Sequence, residues 1–336
     1  MTTSHLHYTM TAQDYIQSKL SELQLTLNVP KPRSNEELEA AIVKSILSKK
    51  FRKYAANDEL ITHIKNAVHI NVENHEPINI TFLHGAYKLW RLDEAPEPDW
   101  AELFSLMYYT NWMKPICELY EPGVWFDFFV DDLIIARIDN LPMQDILTYL
   151  QNYQGVIDFL KPYQPSNLKM TITPVGSRFP SEEAFDASVQ NNLAKLTAEL
   201  PGGLPVLSES QWAMVDLNTK ATDVQLKDPK WREKVYHLHN AYMVSKGETG
   251  YHKGRPDKII AFTQPLPSGT ALIVGTTKDS IAKFWVGVGA LKPREDSYRQ
   301  IILSPKQLSM TKFDWKNVDL GLRGKNFKKI RVLESK

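Results

Sequence analysis

Several charged side chains follow short apolar stretches that the sequence predicts to be β-strands. His84, Lys88 and Arg91 come after the first such stretch, and Asp131 and Asp132 end the second. Lysine and arginine bind phosphate or carboxylate groups through charge-assisted hydrogen bonds. A nearby aspartate can bind an amino group or transfer a proton. These residue types therefore predict a site for a small charged ligand.

Three further substrate-binding candidates, Arg178, Lys283 and Trp285, lie later in the chain. Arg178 follows a third predicted strand, Lys283 flanks a late strand, and Trp285 offers aromatic surface for a flat substrate. Ligands of open parallel sheets bind beyond the carboxyl ends of the strands, so the convergence of these positions favours a site. For each residue taken alone, the alternative is a solvated loop charge or, for Trp285, a place in the core.

The sequence contains none of the standard cofactor or nucleophile motifs. Gly287 and Gly289 form a G-x-G without the third glycine of a dinucleotide fingerprint, and residues 275–280 lack the glycine spacing of a phosphate-binding loop. His237 and His239 are two residues apart on a predicted helix, which puts them on different faces. We therefore predict no metal site and no bound cofactor.

The composition indicates a globular protein without a strong electrostatic field. Of the 336 residues 43% are hydrophobic and 24% charged, and the formal net charge is +1, so we expect neither nucleic acid nor a membrane as a partner. Cys117 is the single cysteine, which excludes an internal disulfide and a cysteine-based metal site. The N-terminus lacks the pattern of a signal peptide, and we expect a cytoplasmic protein.

The N-terminal part of the chain has the periodicity of amphipathic helices. Three such patterns cover about residues 11–27, 34–51 and 58–72. We interpret residues 1–75 as a helical extension.

From Ile78 onward strand and helix patterns alternate. Ile78, Ile80 and Phe82 alternate as in a strand, Asp99 and Glu102 have the spacing of a capping box, and further strands are predicted at Val124–Val130 and Leu168–Pro174. This alternation predicts a mostly parallel sheet, so residues 76–336 are interpreted as a Rossmann-like α/β catalytic domain.

The second half of the chain is predicted in less detail. Helical patterns cover 181–200 and 231–244, the polar and glycine-rich segment 246–256 suits a loop or lid, and strands are predicted at 258–263, 270–276, 284–288 and 299–303. A basic tail at 325–331 follows.

Four pieces of sequence between residues 78 and 138 occur in a distinctive order. They are Lys88 after the first strand, Pro-Asp-Trp-Ala-Glu at 98–102, Tyr-Glu-Pro-Gly at 120–123, and the adjacent pair Asp131 and Asp132. In this order and at these separations they resemble the isocyanide (isonitrile) synthases of the pyoverdine/dityrosine-biosynthesis family. A weaker similarity extends over residues 236–265 and 284–288.

The resemblance implies a Rossmann-like fold and a reaction in which the amine of an amino acid becomes an isocyanide. The carbon would come from ribulose 5-phosphate, so an amino acid and a sugar phosphate are the expected partners and no other cofactor is implied. Lys88, helped by Arg91, would then bind the sugar phosphate or its carbonyl. Asp131 or Asp132 would hold the amine or transfer protons, because the amine must lose a proton before it attacks a carbonyl.

Two positions depart from the family's pattern. The family has a histidine in a Ser-Ile-His-Pro strand end and another in a Trp-His pair, where this chain has Gln264 and Val286. Two alternatives therefore stay open. One is an enzyme that transforms an amino acid with another cosubstrate such as S-adenosylmethionine, and the other is a non-catalytic protein that binds a small molecule.

Overall fold

The computed structural model describes residues 10–334 apart from positions 28, 86–94, 199–207, 210–211, 213–214, 216–218, 265–268 and 281. The N-terminal helices are α1 (Ala12–Gln24), α2 (Asn35–Ile46) and α3 (Asp58–Glu73). The alternating region contains β1 (Ile78–His84), α4 (Trp100–Leu119), β2 (Val124–Val130), α5 (Asp132–Ile138), α6 (Met143–Leu160), β3 (Leu168–Pro174), α7 (Glu182–Ala198), α8 (Asp223–Lys227), α9 (Pro229–Glu248), β4 (Lys258–Phe262) and β5 (Leu272–Ile273). The C-terminal elements are β6 (Val288–Arg294), β7 (Ser297–Leu303), α10 (Pro305–Met310), β8 (Phe313–Asn317) and β9 (Lys329–Leu333).

The predicted α/β fold class is confirmed by a five-stranded parallel sheet with the strand order β3-β2-β1-β4-β5. From β1 the chain first adds strands on one side and then, from β4, on the other. The order therefore reverses between β1 and β4, and such a switch point opens a crevice at the carboxyl ends of the two strands.

Apolar side chains on both faces explain why these strands form a buried sheet. All seven residues of β1 are buried, as expected of a parallel strand covered by helices on both sides. Ile80 and Phe82 belong to the main core together with residues of α4 and α6, whereas Leu83 packs on the other face among residues of α7 and α9.

The N-terminal helices share their core with the sheet. Ile16, Ile42 and Ile64, one from each helix, are fully buried in the same cluster as Phe82 of β1. The His63 ring also forms a 2.8 Å hydrogen bond with the Lys258 carbonyl at the start of β4. The division of the chain at residue 75 stays a prediction, and these contacts describe a helical layer packed on the sheet.

The C-terminal region differs from the sequence prediction. It forms a mixed four-stranded sheet in the order β7-β6-β9-β8, and β9 occupies what was predicted to be a basic tail. Ile330 and Val332 are buried in β9, but the lysines and arginine around them hide this short alternation in the sequence. The strand predicted at 284–288 is wrong: Phe284 and Trp285 lie in a turn, and their apolar character reflects full burial instead of extended pairing.

Helix α9 is longer than its pattern predicts. It begins after the N-cap Asp228, whose side chain accepts a hydrogen bond from the Lys230 N–H, and it ends at Glu248. Lys246 therefore lies in the last turn of the helix, so the predicted loop at 246–256 is wrong at its start. The short helix α5 directly after β2 was also missed.

Candidate functional site

The carboxyl end of β2 carries a buried ion pair. Asp131 follows the last residue of β2, and its N–H donates to the His84 carbonyl at 2.9 Å, which fixes it beside the end of β1. The Lys246 Nζ donates to the Asp131 Oδ1 at 2.5 Å, and the two side chains are only 4% and 12% exposed. The ammonium group also lies 4.9 Å from the centre of the Phe129 ring. Helix α9 thus delivers a cation to a strand end that is far from it in sequence.

A neutral histidine accompanies this pair. His239 lies seven residues before Lys246 on α9, so both side chains lie on one face of the helix. Burial, partly opposed by the negative charge of Asp131 and reinforced by the charges of Lys283 and Lys246, lowers the pKa of His239 to about 4. Its Nδ1 is buried and has no hydrogen-bond partner in the described part of the chain. At neutral pH the ring is therefore uncharged and able to accept a proton.

A second buried imidazole, that of His252, lies near Lys246. Burial, reinforced by the charge of Lys246, lowers the pKa of His252 to about 3. The His252 ring centre is 5.2 Å from that of Phe129. We call the set Asp131, His239, Lys246, His252 and Lys283 the Asp131 cluster. It combines one carboxylate, two ammonium groups and two neutral imidazoles, which suits the binding of a charged substrate and proton transfer.

An aromatic stack lies at the carboxyl ends of β1 and β4. The Trp285 ring centre lies 4.7 Å from that of His84 and 6.2 Å from that of Phe262, at the ends of the two strands. Both His84 and Trp285 are fully buried. The Trp285 Nε1 has no hydrogen-bond partner among the residues that the structure describes. The structure thus brings together His84 and Trp285, two of the predicted substrate-binding residues, inside the core, and their binding roles stay predictions.

A chain of hydrogen bonds runs from His84 into the scaffold. The Tyr149 hydroxyl lies 3.5 Å from the His84 Nε2 and donates to the Glu102 Oε1 at 2.9 Å. The other Glu102 oxygen accepts the Asp99 N–H at 2.9 Å, which completes the predicted capping box of α4. Burial, reinforced by the charge of Glu102, raises the pKa of Tyr149 well above its usual range. Tyr149 is therefore a neutral phenol that donates to Glu102, and its oxygen can accept a hydrogen bond from the His84 Nε2–H.

Asp132 does not take part in the ion pair between Asp131 and Lys246. Its Oδ1 accepts the Gly176 N–H at 2.9 Å and so ties the start of α5 to the loop after β3. Burial raises the pKa of Asp132, although hydrogen bonds from backbone N–H groups oppose this shift. The catalytic role of Asp132 stays a prediction, and its contacts in the structure are those of a structural link.

Arg178 does not join the Asp131 cluster within the described structure. The Arg178 guanidinium lies on the Tyr251 ring, with its Cζ 4.6 Å from the ring centre, and it lines a different cavity. Lys88 and Arg91 lie outside the described residues, so their roles stay predictions.

Sequence reasoning missed His239, Lys246 and His252. His239 was considered only as one half of a metal pair with His237, and Lys246 was placed in a loop. The spacing of seven residues between His239 and Lys246 was the available signal, because it gives a common helix face once the helix is extended to Glu248.

In the described ranges no group of three or more histidine, cysteine, aspartate or glutamate side chains could hold a metal ion. No helix described there is long and apolar enough to span a membrane.

The five parallel strands and the helices on both faces of the sheet define a Rossmann-like α/β protein. No protein-family model and no curated protein sequence matches the chain. Among solved structures the chain is similar to the PvcA (PA2254) protein from Pseudomonas aeruginosa, with a TM-score of 0.60 and 14% sequence identity. The match covers 88% of this chain and 99% of that one. At this identity the likeness shows a common fold.

Proposed function

We propose that this protein is an enzyme of the isocyanide-synthase type. It would convert the amine of an amino acid into an isonitrile, with ribulose 5-phosphate as carbon donor. Two independent comparisons support the scaffold: the motifs in residues 78–138, and the likeness to PvcA, a pyoverdine-cluster protein of the isocyanide synthase family. At 14% identity the relationship to that family is a distant one.

The observation that carries the proposal is the Asp131 cluster at the carboxyl edge of the sheet. Asp131 already holds one ammonium group, that of Lys246, through its Oδ1. Its Oδ2 accepts no hydrogen bond from the described residues, so it offers an acceptor for the ammonium group of an amino acid. His239 is neutral at pH 7, and we propose that it takes the proton that the amine must lose before it attacks a carbonyl, a step that the negative charge of Asp131 favours because it opposes the lowering of the His239 pKa.

The other residues have roles that follow from charge. Lys283 adds a positive charge to the cluster, which favours a phosphate or carboxylate nearby. Lys88 and Arg91 are proposed to bind the sugar phosphate, as the family resemblance implies. The histidines that the family has at the positions of Gln264 and Val286 are absent here, and we propose that imidazoles supplied by α9 and the segment after it replace them.

Incubation of the purified protein with each of the twenty amino acids and ribulose 5-phosphate tests the proposal. Mass spectrometry should detect an isonitrile product with one of them. Asp131→Asn should lower kcat/KM by about a hundredfold, because it removes the charge that holds the amine. Asp158→Asn is the control, since Asp158 is an exposed residue in a surface ion pair with Lys161. No product with any amino acid, in a sample shown to be folded, would refute the proposed reaction.

A second function, non-catalytic binding of a small molecule, is favoured by one observation. Lys246 already neutralises Asp131, so the cluster is a preformed ion pair that does not need a substrate ammonium group. Thermal-shift measurements separate the possibilities. Stabilisation by ribulose 5-phosphate and an amino acid with turnover supports the synthase, stabilisation without turnover supports the binding protein, and stabilisation by S-adenosylmethionine alone supports an enzyme with another cosubstrate.

A further inference from the structure

A second cavity of about 500 Å³ lies against the parallel sheet, toward the amino ends of its strands. Asn79, Trp125 and Lys258 are paired neighbours on β1, β2 and β4, so their side chains lie on the same face of the sheet. The segment after α9 forms another wall, with Tyr251. Both faces of a parallel sheet are normally apolar, so a polar and a charged side chain, Asn79 and Lys258, at paired positions of β1 and β4 are a departure from the usual pattern.

A buried carboxylate organises this face. Asp127 is fully buried, and its Oδ1 accepts hydrogen bonds from the Thr171 and Thr173 hydroxyls at 2.5 and 2.8 Å. Its Oδ2 accepts from the Tyr251 hydroxyl at 2.8 Å, and the Thr171 hydroxyl oxygen in turn accepts from the Trp125 Nε1 at 2.7 Å. The network therefore fixes the orientation of two aromatic rings that line the cavity.

Two cations face these rings. The Lys258 Nζ lies 3.7 Å from the centre of the Tyr251 ring and 5.5 Å from that of Trp125, and the residue is only 4% exposed. The Arg178 guanidinium lies on the same Tyr251 ring. Neither cation forms an ion pair with any carboxylate in the described ranges. Burial lowers the pKa of Lys258, although the negative charge of Asp127 opposes this shift, and an anion bound beside Lys258 would oppose it further.

A third polar group completes the lining. The Asn79 Oδ1 is buried and accepts no hydrogen bond from the part of the chain that the structure describes. At the rim, Arg255 and Asp257 neutralise each other through two hydrogen bonds of 2.9 and 3.0 Å, and Glu76 adds one exposed carboxylate. Lys258 and Arg178 are therefore the cations that line the cavity without an ion-pair partner in the described structure, while the Asp127 carboxylate lies behind the Tyr251 hydroxyl. The Asn79 Oδ1 is an acceptor without a donor.

We propose that this cavity is a second ligand site, which binds a small aromatic anion that also carries a hydroxyl or amino donor. The anionic group lies between Lys258 and Arg178, the ring packs beside Trp125, and the donor reaches the Asn79 Oδ1. Phe129 separates this site from the Asp131 cluster, since its ring centre lies 4.8 Å from that of Tyr251 and Lys246 lies over the same ring. The inference does not rest on the proposed function.

Isothermal titration calorimetry with three probes tests the proposal. 4-Hydroxybenzoate has the anion, the ring and the donor, phenyl phosphate presents a phosphate in place of the carboxylate, and 4-hydroxybenzyl alcohol lacks the charge. The two anions should bind, with the tighter one identifying the preferred anionic group, and the neutral alcohol should bind at least about tenfold more weakly. Binding of the alcohol as tight as that of both anions would overturn the assignment of an anion site.

Variants locate the binding. Lys258→Met should weaken the binding of 4-hydroxybenzoate by about tenfold or more, because it removes the buried charge and keeps the length of the side chain. Lys169→Met is the matched control: Lys169 also lies over Trp125, at 5.2 Å, but it is exposed and does not line this cavity. It should change the dissociation constant by less than about twofold.

Arg178→Gln keeps the test valid if Lys258→Met does not fold. Arg178 is exposed, so its replacement should leave the melting temperature unchanged and still weaken the binding of 4-hydroxybenzoate severalfold. Failure of both anions to bind the wild-type protein at millimolar concentration, or equal binding by wild type and Arg178→Gln, would overturn the proposal. Since neither an amino acid substrate nor ribulose 5-phosphate is present, these results are independent of the isonitrile assay.

Discussion

Replacement of Lys246 by methionine measures how strongly the Asp131 cluster depends on its ion pair. The variant retains most of the side-chain volume but leaves the Asp131 carboxylate almost buried and without its cation. Removing one partner of a buried pair typically costs about 3–5 kcal/mol, because the remaining charge has lost both its partner and its water. Since domains are stable by only about 5–15 kcal/mol, the variant should be markedly less stable than the wild type.

Urea unfolding monitored by circular dichroism gives the magnitude. With a slope of about 3 kcal/mol per molar urea or more for a chain of this size, the midpoint should fall by about 1 M. The pair formed by Lys161 and Asp158 is a control of similar geometry, with a distance of 2.7 Å but side chains 64% and 51% exposed. Lys161→Met should therefore cost less than about 1 kcal/mol.

The double variant Lys246→Met with Asp131→Leu separates the ion pair from simple packing. Both charges are then absent, so no group is left buried without a partner, and replacing a buried pair by apolar residues is often neutral. The double variant should therefore be more stable than Lys246→Met alone. If the two losses instead add, or if Lys246→Met costs no more than Lys161→Met, the cluster is not held together in the way described.

Three further predictions concern His239 and two glycines. The unfolded chain binds a proton at His239 below about pH 6.5, whereas the folded chain binds it only below about pH 4. The free energy of unfolding should therefore fall by at most about 3 kcal/mol as the pH is lowered from 6.5 to 4. His239→Gln should flatten the dependence of the urea midpoint on pH over this range. Gly123→Ala should lower the melting temperature strongly, because Gly123 has φ +72° and an added Cβ would overlap the Asn167 carbonyl. Gly155→Ala in α6 is the control: it has open space around it and should raise the melting temperature slightly. Equal effects of the two substitutions would contradict this prediction. Gly176→Ala should cost about 1–3 kcal/mol, since its Cβ would lie 2.9 Å from the carboxylate of Asp132, and an unchanged melting temperature would show that this link carries no stability.

The parallel sheet could be predicted from the sequence because its signals are local. The strand bounds at Val124–Val130 and Leu168–Pro174 agree with the structure, since each is a short apolar run between turn residues. The start of α4 could also be predicted, because Asp99 and Glu102 form a capping box with backbone N–H groups within four residues of chain. Where one turn of chain contains both partners of an interaction, the sequence is sufficient.

The Asp131 cluster could be predicted only in part, because its contacts join distant residues. Asp131 was identified as the end of a strand, but its partner Lys246 is 115 residues further along the chain. The polar character of 246–256 predicts a loop, and the ion pair explains why a charged residue there can be buried at the end of a helix. The strand β9 was missed for a similar reason, since its alternating isoleucine and valine become core only when β6 and β8 flank it.

Two of the motifs that carry the family resemblance make structural contacts. In the segment 98–102, the Asp99 carboxylate accepts the Ala101 N–H of α4 and the Gly289 N–H of β6, so this motif joins the helix to the C-terminal sheet. In the segment 120–123, the Tyr120 hydroxyl donates to two backbone carbonyls, and Gly123 supplies a backbone conformation that other residues rarely adopt. In this chain both motifs therefore serve the scaffold.

The chemistry must therefore be decided by the remaining residues. Asp131 is the one motif residue in the described structure that combines a strand end, a cation and a neutral imidazole, and the last two come from α9 and not from the motif. A relative of this fold that keeps Asp99, Gly123 and Asp131 but lacks His239 and Lys246 would share these scaffold contacts and lack the buried ion pair and the neutral imidazole. Sequence identity at the scaffold motifs should thus predict the fold, and the residues on one face of α9 should predict whether the proposed reaction is retained.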